Sequence, residues 1–286
     1  MRVTNSRRLR VQRLGFAALT AASVLTVAPI VLVVAYIIVR GAPAIRWEFL
    51  TAFPSQGMKG GGILPAIVGT FWLTLGTAAL AVPLGVGAAI YLSEYAPDNR
   101  WTRASRVAII NLAGIPSVVY GLFGLGLFVL FLHFGTSLLA GSLTLSIMTV
   151  PVIISTAEEA LRAVPNSFRV VSISLGGTQW QTVRRIVLPQ ALPGILTGVI
   201  LGLERAAGET APILFTAAAF FLPRLPTSAF DATMALPYHL FVISTQVPGM
   251  PVHIQYGTAV VLLAFVLGMN LLATLIRSRA RARRQW

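Results

Sequence analysis

Residues 157–223 read AEEALRAVPNSFRVVSISLGGTQWQTVRRIVLPQALPGILTGVILGLERAAGETAPILFTAAAFFLP, and the fold of the chain turns on them. The first half, up to Leu188-Pro189, is polar and carries Arg162, Arg169, Arg184 and Arg185 around Gly176-Gly177 and Trp180. The second half is an apolar run interrupted by Glu204, Arg205 and Glu209. A basic loop feeding an apolar helix with charges near its middle has two contacts to explain. One lies in the cytoplasm and the other inside a bilayer.

Within the polar half, Pro165-Asn166-Ser167 signals a helix start, and Phe168, Val171 and Leu175 share one face at i, i+3, i+7. Gly176-Gly177 stops that helix. Thr178 opens the next, with Gln181 three residues on as the other half of a capping box. Trp180, Val183 and Val187 form its expected apolar face, and Leu188-Pro189 its expected end. Two short amphipathic helices meeting at a glycine corner suit either anionic lipid headgroups or a partner protein.

The composition around this stretch is that of an integral membrane protein. Of the 286 residues 56% are hydrophobic and only 10% charged, against about a quarter charged in soluble domains. There are no cysteines, so disulfides and thiolate metal sites are excluded. His133, His239 and His253 are scattered without ligand spacing, so no metal or cofactor site is expected. The net charge of +14 does not indicate nucleic acid, because the arginines sit at the ends of apolar runs rather than along one face.

Six crossings follow from the apolar runs, each long enough for the ~20 residues a bilayer demands. They are Leu14–Val39, Ile63–Leu92 with a bend at Pro83, two within Val107–Ala157 divided near His133–Thr136, Ala191–Phe221, and Tyr256–Ile276. The first is too long for a signal peptide and lacks a convincing cleavage site after it. The parts are a tail at 1–13, a first crossing with its outer loop at 14–62, a core at 63–276 holding the loop 158–189, and a basic tail at 277–286. Both tails, Glu94–Arg106 and Glu158–Leu188 together hold 17 arginines, whereas the opposite side holds only Arg40, Arg46, Lys59 and Arg224. By the positive-inside rule both termini are cytoplasmic, and the Pro-rich 222–255 segment lies outside.

The charges of the fifth crossing are its chemistry. From a start at Ala191, Arg205 lies roughly 21 Å along the axis, at or past the middle of a ~30 Å core. A charge there costs about 2.5–3.5 kcal/mol on insertion scales, so it must face protein or water. Arg205 and Glu209 are i, i+4 and can pair, while Gly194, Gly198 and Gly202 form a small-xxx-small face for close packing. The pair is either a packing device or the polar lining of a translocation path. Ser117 and Tyr120, beside Pro116, offer hydroxyls to the same path, or ordinary helix–helix hydrogen bonds.

The loop resembles that of the permease subunits of ATP-binding-cassette importers, of the form EAA-(x3)-G-(x9)-I-x-LP. Gly176, Ile186, Leu188 and Pro189 fall at that spacing, but Val170-Val171-Ser172 stands where Glu-Ala-Ala belongs. Residues 113–121, AGIPSVVYG, and 206–217, AAGETAPILFTA, are similar to the phosphate-specific permeases of this binding-protein-dependent (MetI-like) family, the second stretch most of all to the PstA type. The resemblance implies an all-α fold of six transmembrane helices in the bacterial plasma membrane. It also implies phosphate as substrate, a PstC-like second permease, two PstB-like ATP-binding subunits and a PstS-like extracytoplasmic phosphate-binding protein. The coupling surface is then expected at Arg169, Leu175, Gly176, Gly177, Thr178, Trp180, Ile186, Leu188 and Pro189. The path is expected at Glu204, Arg205, Glu209, Thr210, Ser117 and Tyr120.

Other readings remain open. Sulfate, molybdate or a polyamine could replace phosphate, and a secondary transporter would use Glu204 or Glu209 as a proton carrier. An enzyme finds no support, since no catalytic nucleophile–base set or metal motif is present. The single lysine, Lys59, is outside any phosphate-cradling GxxxxGK[ST] loop, so an ATPase would be a separate chain.

Overall fold

The computed structural model describes residues 4–282 and is almost entirely helical. Arg2, Arg283 and Arg284 of the expected tails lie outside the described residues. Helix α1 spans Thr4–Gly41, and a small cap follows: α2 (Trp47–Thr51) and a two-residue antiparallel hairpin, β1 (Pro54–Ser55) with β2 (Gly60–Gly61). The core helices are α3 (Leu64–Ile90), α4 (Arg100–Ala113), α5 (Ser117–Gly124) and α6 (Leu138–Arg162). Next come α7 (Asn166–Ser174), α8 (Gln179–Thr182), α9 (Leu188–Gly208) and α10 (Ala211–Thr216). The chain closes with α11 (Leu236–Thr245) and α12 (Val252–Ala282).

Helix α6 is the central post, and its sequence explains why. Ser137 caps its first turn by accepting from the Ala140 amide. Buried hydroxyls then return to carbonyls of their own helix, Thr144 to Ala140 at 2.8 Å and Ser146 to Ser142 at 2.6 Å. Helix α3 does the same, with Thr70, Thr74 and Thr77 each donating four residues back. Polar atoms satisfied this way let small side chains lie in a dry interface, where close backbone approach holds helices together. A Cβ added at Gly194 would sit 2.6 Å from the Ala160 Cβ, and one at Gly202 2.7 Å from a Thr149 methyl. The glycine face read in the fifth crossing therefore packs on α6.

Two buried clusters bracket the helices. One joins Phe49, Met58, Tyr120, Leu145, Met234 and Leu236. A second joins Leu92, Ile154, Leu161, Val187 and Ile195 at the end that carries the glycine corner between α7 and α8. Helix α1 packs mainly against α12, with Tyr36 edge-on to Tyr256 at 5.6 Å, and leaves its other apolar side bare.

Among the described residues, five helical segments are long and apolar enough to span a membrane. The third expected span, the first of the two within Val107–Ala157, is not one straight helix. Helix α4 already starts at Arg100, inside the expected charged connection, and meets the segment Ser117–Phe131 at 99°. The cause is Pro116: it has no N–H to donate to the Leu112 carbonyl. That carbonyl is taken instead by the Tyr120 hydroxyl at 2.7 Å and by the Ile115 amide at 3.1 Å. The expected division near His133–Thr136 is present, with His133 at φ 56° and Gly135 at φ 65°.

The fifth crossing also breaks, which the expected span Ala191–Phe221 did not include. Helix α9 stops at Gly208, Glu209 is extended (φ −72°, ψ 135°), and α10 restarts with Pro212 in its first turn. Pro212 again removes the N–H that would reach back four residues, here to Gly208. In the other direction the helix runs further than expected. Gln179–Gly208 is one continuous span, passing through Leu188-Pro189 by way of a π-helical turn at Val183–Val187. Pro189 is tolerated where the widened turn has already shifted the hydrogen-bond register. Helix α6 likewise extends to Arg162, so Ala163–Pro165 alone separates it from α7.

Candidate functional site

The elbow is built by local rules. Gly176 adopts φ +82°, a left-handed turn that costs a side chain about 1–2 kcal/mol and costs glycine nothing. Its amide donates to the Ile173 carbonyl at 2.9 Å, and the Gly177 amide to Ser172 at 3.0 Å. The expected capping box is present: Thr178 accepts from the Gln181 amide and its own amide donates to the Gln181 side chain. A 2.7 Å contact between the Ser172 and Thr182 hydroxyls closes the corner.

What the elbow shows to the outside is apolar. Phe168, Val171 and Ile173 are exposed and Leu175 is 83% exposed. Phe168, Val171, Leu175, Gln181, Arg185 and Ile186 line a groove of about 450 Å³. Trp180 is exposed as well, so it does not join Val183 and Val187, which are buried. The expected common face of those three is thus divided between the outside and the second cluster.

Arg169 points the other way. Its guanidinium donates to both oxygens of Glu94, at 2.9 and 2.7 Å, and to the carbonyls of Val164 and Leu161. Hydrogen bonding by Glu94 holds Arg169 above its ordinary pKa, against the opposing effect of burial. Its expected place on the coupling surface is therefore not where it lies. Leu188 and Pro189 are half-buried, with Leu188 against the second cluster.

In the membrane, the Arg205 Nε lies 3.3 Å from Glu209 Oε1, with the arginine side chain 37% exposed and the glutamate 17%. The i, i+4 pairing expected for a helix forms, although Glu209 sits just past the helix end. Glu204 Oε1 is buried and finds no partner among the described residues. The breaks at Pro116 and Glu209 adjoin: a Cβ on Gly121 would stand 3.0 Å from the Ala211 carbonyl oxygen and 3.0 Å from Pro212 Cα. Half-buried Ser117 and Thr210 flank this junction. Tyr120, by contrast, is spent on the Leu112 carbonyl rather than offered to a path. Two interrupted helices meeting beside a charged pair is an arrangement in which irregular backbone and charge share one polar locus.

His239, one of the histidines with no expected role, is buried in α11; its Nδ1 has no partner among the described residues, and burial lowers its pKa to about 4, so it is neutral at pH 7.

Residues 81–283 match the family described as binding-protein-dependent transport system inner membrane component. The chain belongs to that family. The permease is 34% identical over 264 residues to the probable ABC transporter permease protein YqgI of Bacillus subtilis, covering 86% of this chain and 90% of the relative. It is 34% identical over 278 residues to the phosphate transport system permease protein PstA 2 of Mycobacterium bovis, covering 97% and 91%. With PstA 1 of Mycobacterium tuberculosis it shares 37% over 226 residues, 79% of this chain and 72% of the relative. Its fold is also that of solved importers. The bacterial alginate ABC transporter bound to its pentasaccharide-loaded periplasmic protein superimposes with a TM-score of 0.69 at 14% identity, covering 96% of each chain. The inward-facing MetNI methionine transporter gives 0.62 at 18% identity, covering 79% of the permease and 99% of that chain.

Proposed function

We propose that the permease carries inorganic phosphate into a bacterial cell as one half of the translocation path of an ATP-driven importer. The observation that carries this reading is the likeness over 97% of the chain to a phosphate transport permease. Its partners are then a homologous PstC-like permease, two PstB-like ATP-binding subunits and a PstS-like extracytoplasmic phosphate-binding protein. The basic asymmetry of the sequence supports cytoplasmic termini in the plasma membrane and an outer position for the cap and the 222–255 segment. The bare apolar groove at the elbow supports docking of an ATP-binding subunit, since an exposed apolar patch on a polar face marks a contact. Closure of the ATPase pair would push the elbow and rock the helices between inward and outward states.

Phosphate does not follow from charge alone. Glu204, Arg205 and Glu209 together carry −1 if all are ionised, so an anion is repelled there unless a glutamate is protonated or a partner subunit adds cations. Arg205, Glu209, Glu204, Thr210 and Ser117 are this chain's part of the lining.

The test is uptake of radiolabelled phosphate by proteoliposomes holding the permease with its candidate partners. Phosphate is expected to enter only with ATP inside and binding protein outside, and sulfate, molybdate and polyamines to be excluded. Uptake driven by a proton gradient without ATP would instead establish a secondary transporter working through Glu204 or Glu209.

A further inference from the structure

The inner end of α3 finishes in a π-helical turn, Tyr91–Tyr95, and everything at the elbow converges on it. Glu94 lies in this turn with its side chain only 6% exposed. Its carboxylate accepts two hydrogen bonds from Arg169 of α7 and one from the Ser93 hydroxyl. Its backbone carbonyl accepts from the Gln179 side chain of α8 at 2.6 Å. Arg169 meanwhile donates to the Val164 carbonyl, just past the end of α6, and shares the Leu161 carbonyl with the Val164 amide. One residue thus joins α3 to both arms of the elbow, to α7 through its carboxylate and to α8 through its backbone carbonyl, and Arg169 extends the joint to the end of α6.

A neighbouring pair strengthens the same end. Arg106 of α4 donates to Glu158 of α6 at 2.7 Å and to the Leu92 carbonyl at 2.7 Å, and Glu158 also accepts from Arg162. The carbonyls of Leu92 and Glu94, which a regular helix end would leave to water, are thus held by side chains from two other elements, α4 and α8. The elbow reaches α9 through continuous helix, Gln179–Gly208. It reaches α3 chiefly through this clamp.

We propose that Glu94 and Arg169 form the joint by which the elbow drives α3, so that α3 and α9 move as a pair, and that Arg169 is a positioning residue rather than an ATPase contact. All three guanidinium nitrogens are committed within the chain. A planar bidentate pair suits such a joint, because it fixes orientation as well as distance. A glutamate of the loop motif is absent at Val170, and the acidic group that organises this corner comes instead from α3. The inference rests on the permease being ATP-driven.

The test uses the complete reconstituted transporter with Glu94→Gln, Arg169→Lys and the exchanged pair Glu94→Arg with Arg169→Glu. The readout is substrate moved per ATP hydrolysed, measured alongside assembly. Each single variant is expected to assemble and to keep hydrolysis within about twofold, while transport per ATP falls about tenfold, with substantial recovery in the exchanged pair. Loss of hydrolysis and transport in step, normal transport per ATP in Glu94→Gln, or failure of both single variants to assemble would overturn the joint. Absence of ATP-driven transport in the unaltered complex would instead overturn the importer reading itself.

Discussion

Arg205→Ala is expected to lower import about a hundredfold while the complex still assembles. The magnitude is that of removing one preorganised charged donor from a water-poor site. Without the guanidinium, Glu209 loses its partner at 3.3 Å and Glu204, already without one among the described residues, remains. The local balance then favours negative charge, which repels a phosphate. Assembly survives because α9 is held to α6 by Gly194, Gly198 and Gly202 rather than by Arg205. Phosphate uptake measured beside co-purification separates the two effects. Uptake at the wild-type rate would reduce the Arg205–Glu209 pair to a packing device. Arg205→Lys is expected to fall between, since a lysine restores charge without the fixed fork of donors.

Gly176→Val is the second large effect, and it acts at the other end of α9. No heavy atom lies within 4 Å of the Cβ a substitution would add, so space is no obstacle. The φ of +82° is the obstacle. A β-branched residue pays about 1–2 kcal/mol or more there, whereas asparagine visits the left-handed region readily. The corner would re-form at another angle and carry Leu175 and Trp180 out of register with a partner's groove. Capture of the ATP-binding subunit is expected to fall about tenfold in Gly176→Val and to stay within about twofold in Gly176→Asn, following that conformational cost. Normal capture and full import by the valine variant would show that the corner does not dock.

Much of this architecture could be read from the residues. Apolar run lengths located the spans, and Thr178 with Gln181 placed a cap that the structure contains. The Gly194, Gly198, Gly202 face was also readable, because small residues at that spacing have one principal use in a bilayer. What escaped were the interruptions. Pro116 and Pro212 each remove a hydrogen bond to a residue four places back, and that signal was available in both cases. Apolar content hid it, because hydropathy does not change where a helix breaks inside a membrane.

The pairing of Arg169 with Glu94 was unreadable for a different reason. The two are 75 positions apart, and no local rule says which arginine of a basic loop turns inward. Tyr120 is similar: its hydroxyl looked free for a substrate until the Leu112 carbonyl, orphaned by Pro116, appeared beside it. Helical period places Trp180 on one apolar face with Val183 and Val187, but α8 runs only one turn, Gln179–Thr182, before the π-helical turn shifts the register.

The most direct measurement exploits the absence of cysteine from the whole chain. Leu175→Cys, at a position 83% exposed on the elbow, gives a single attachment point for a photoactivated cross-linker in native membranes. Expected is an adduct with the ATP-binding subunit whose yield changes when nucleotide is bound. Adducts with lipid alone, unchanged by nucleotide, would mean that the elbow lies on the membrane and that no motor grips it.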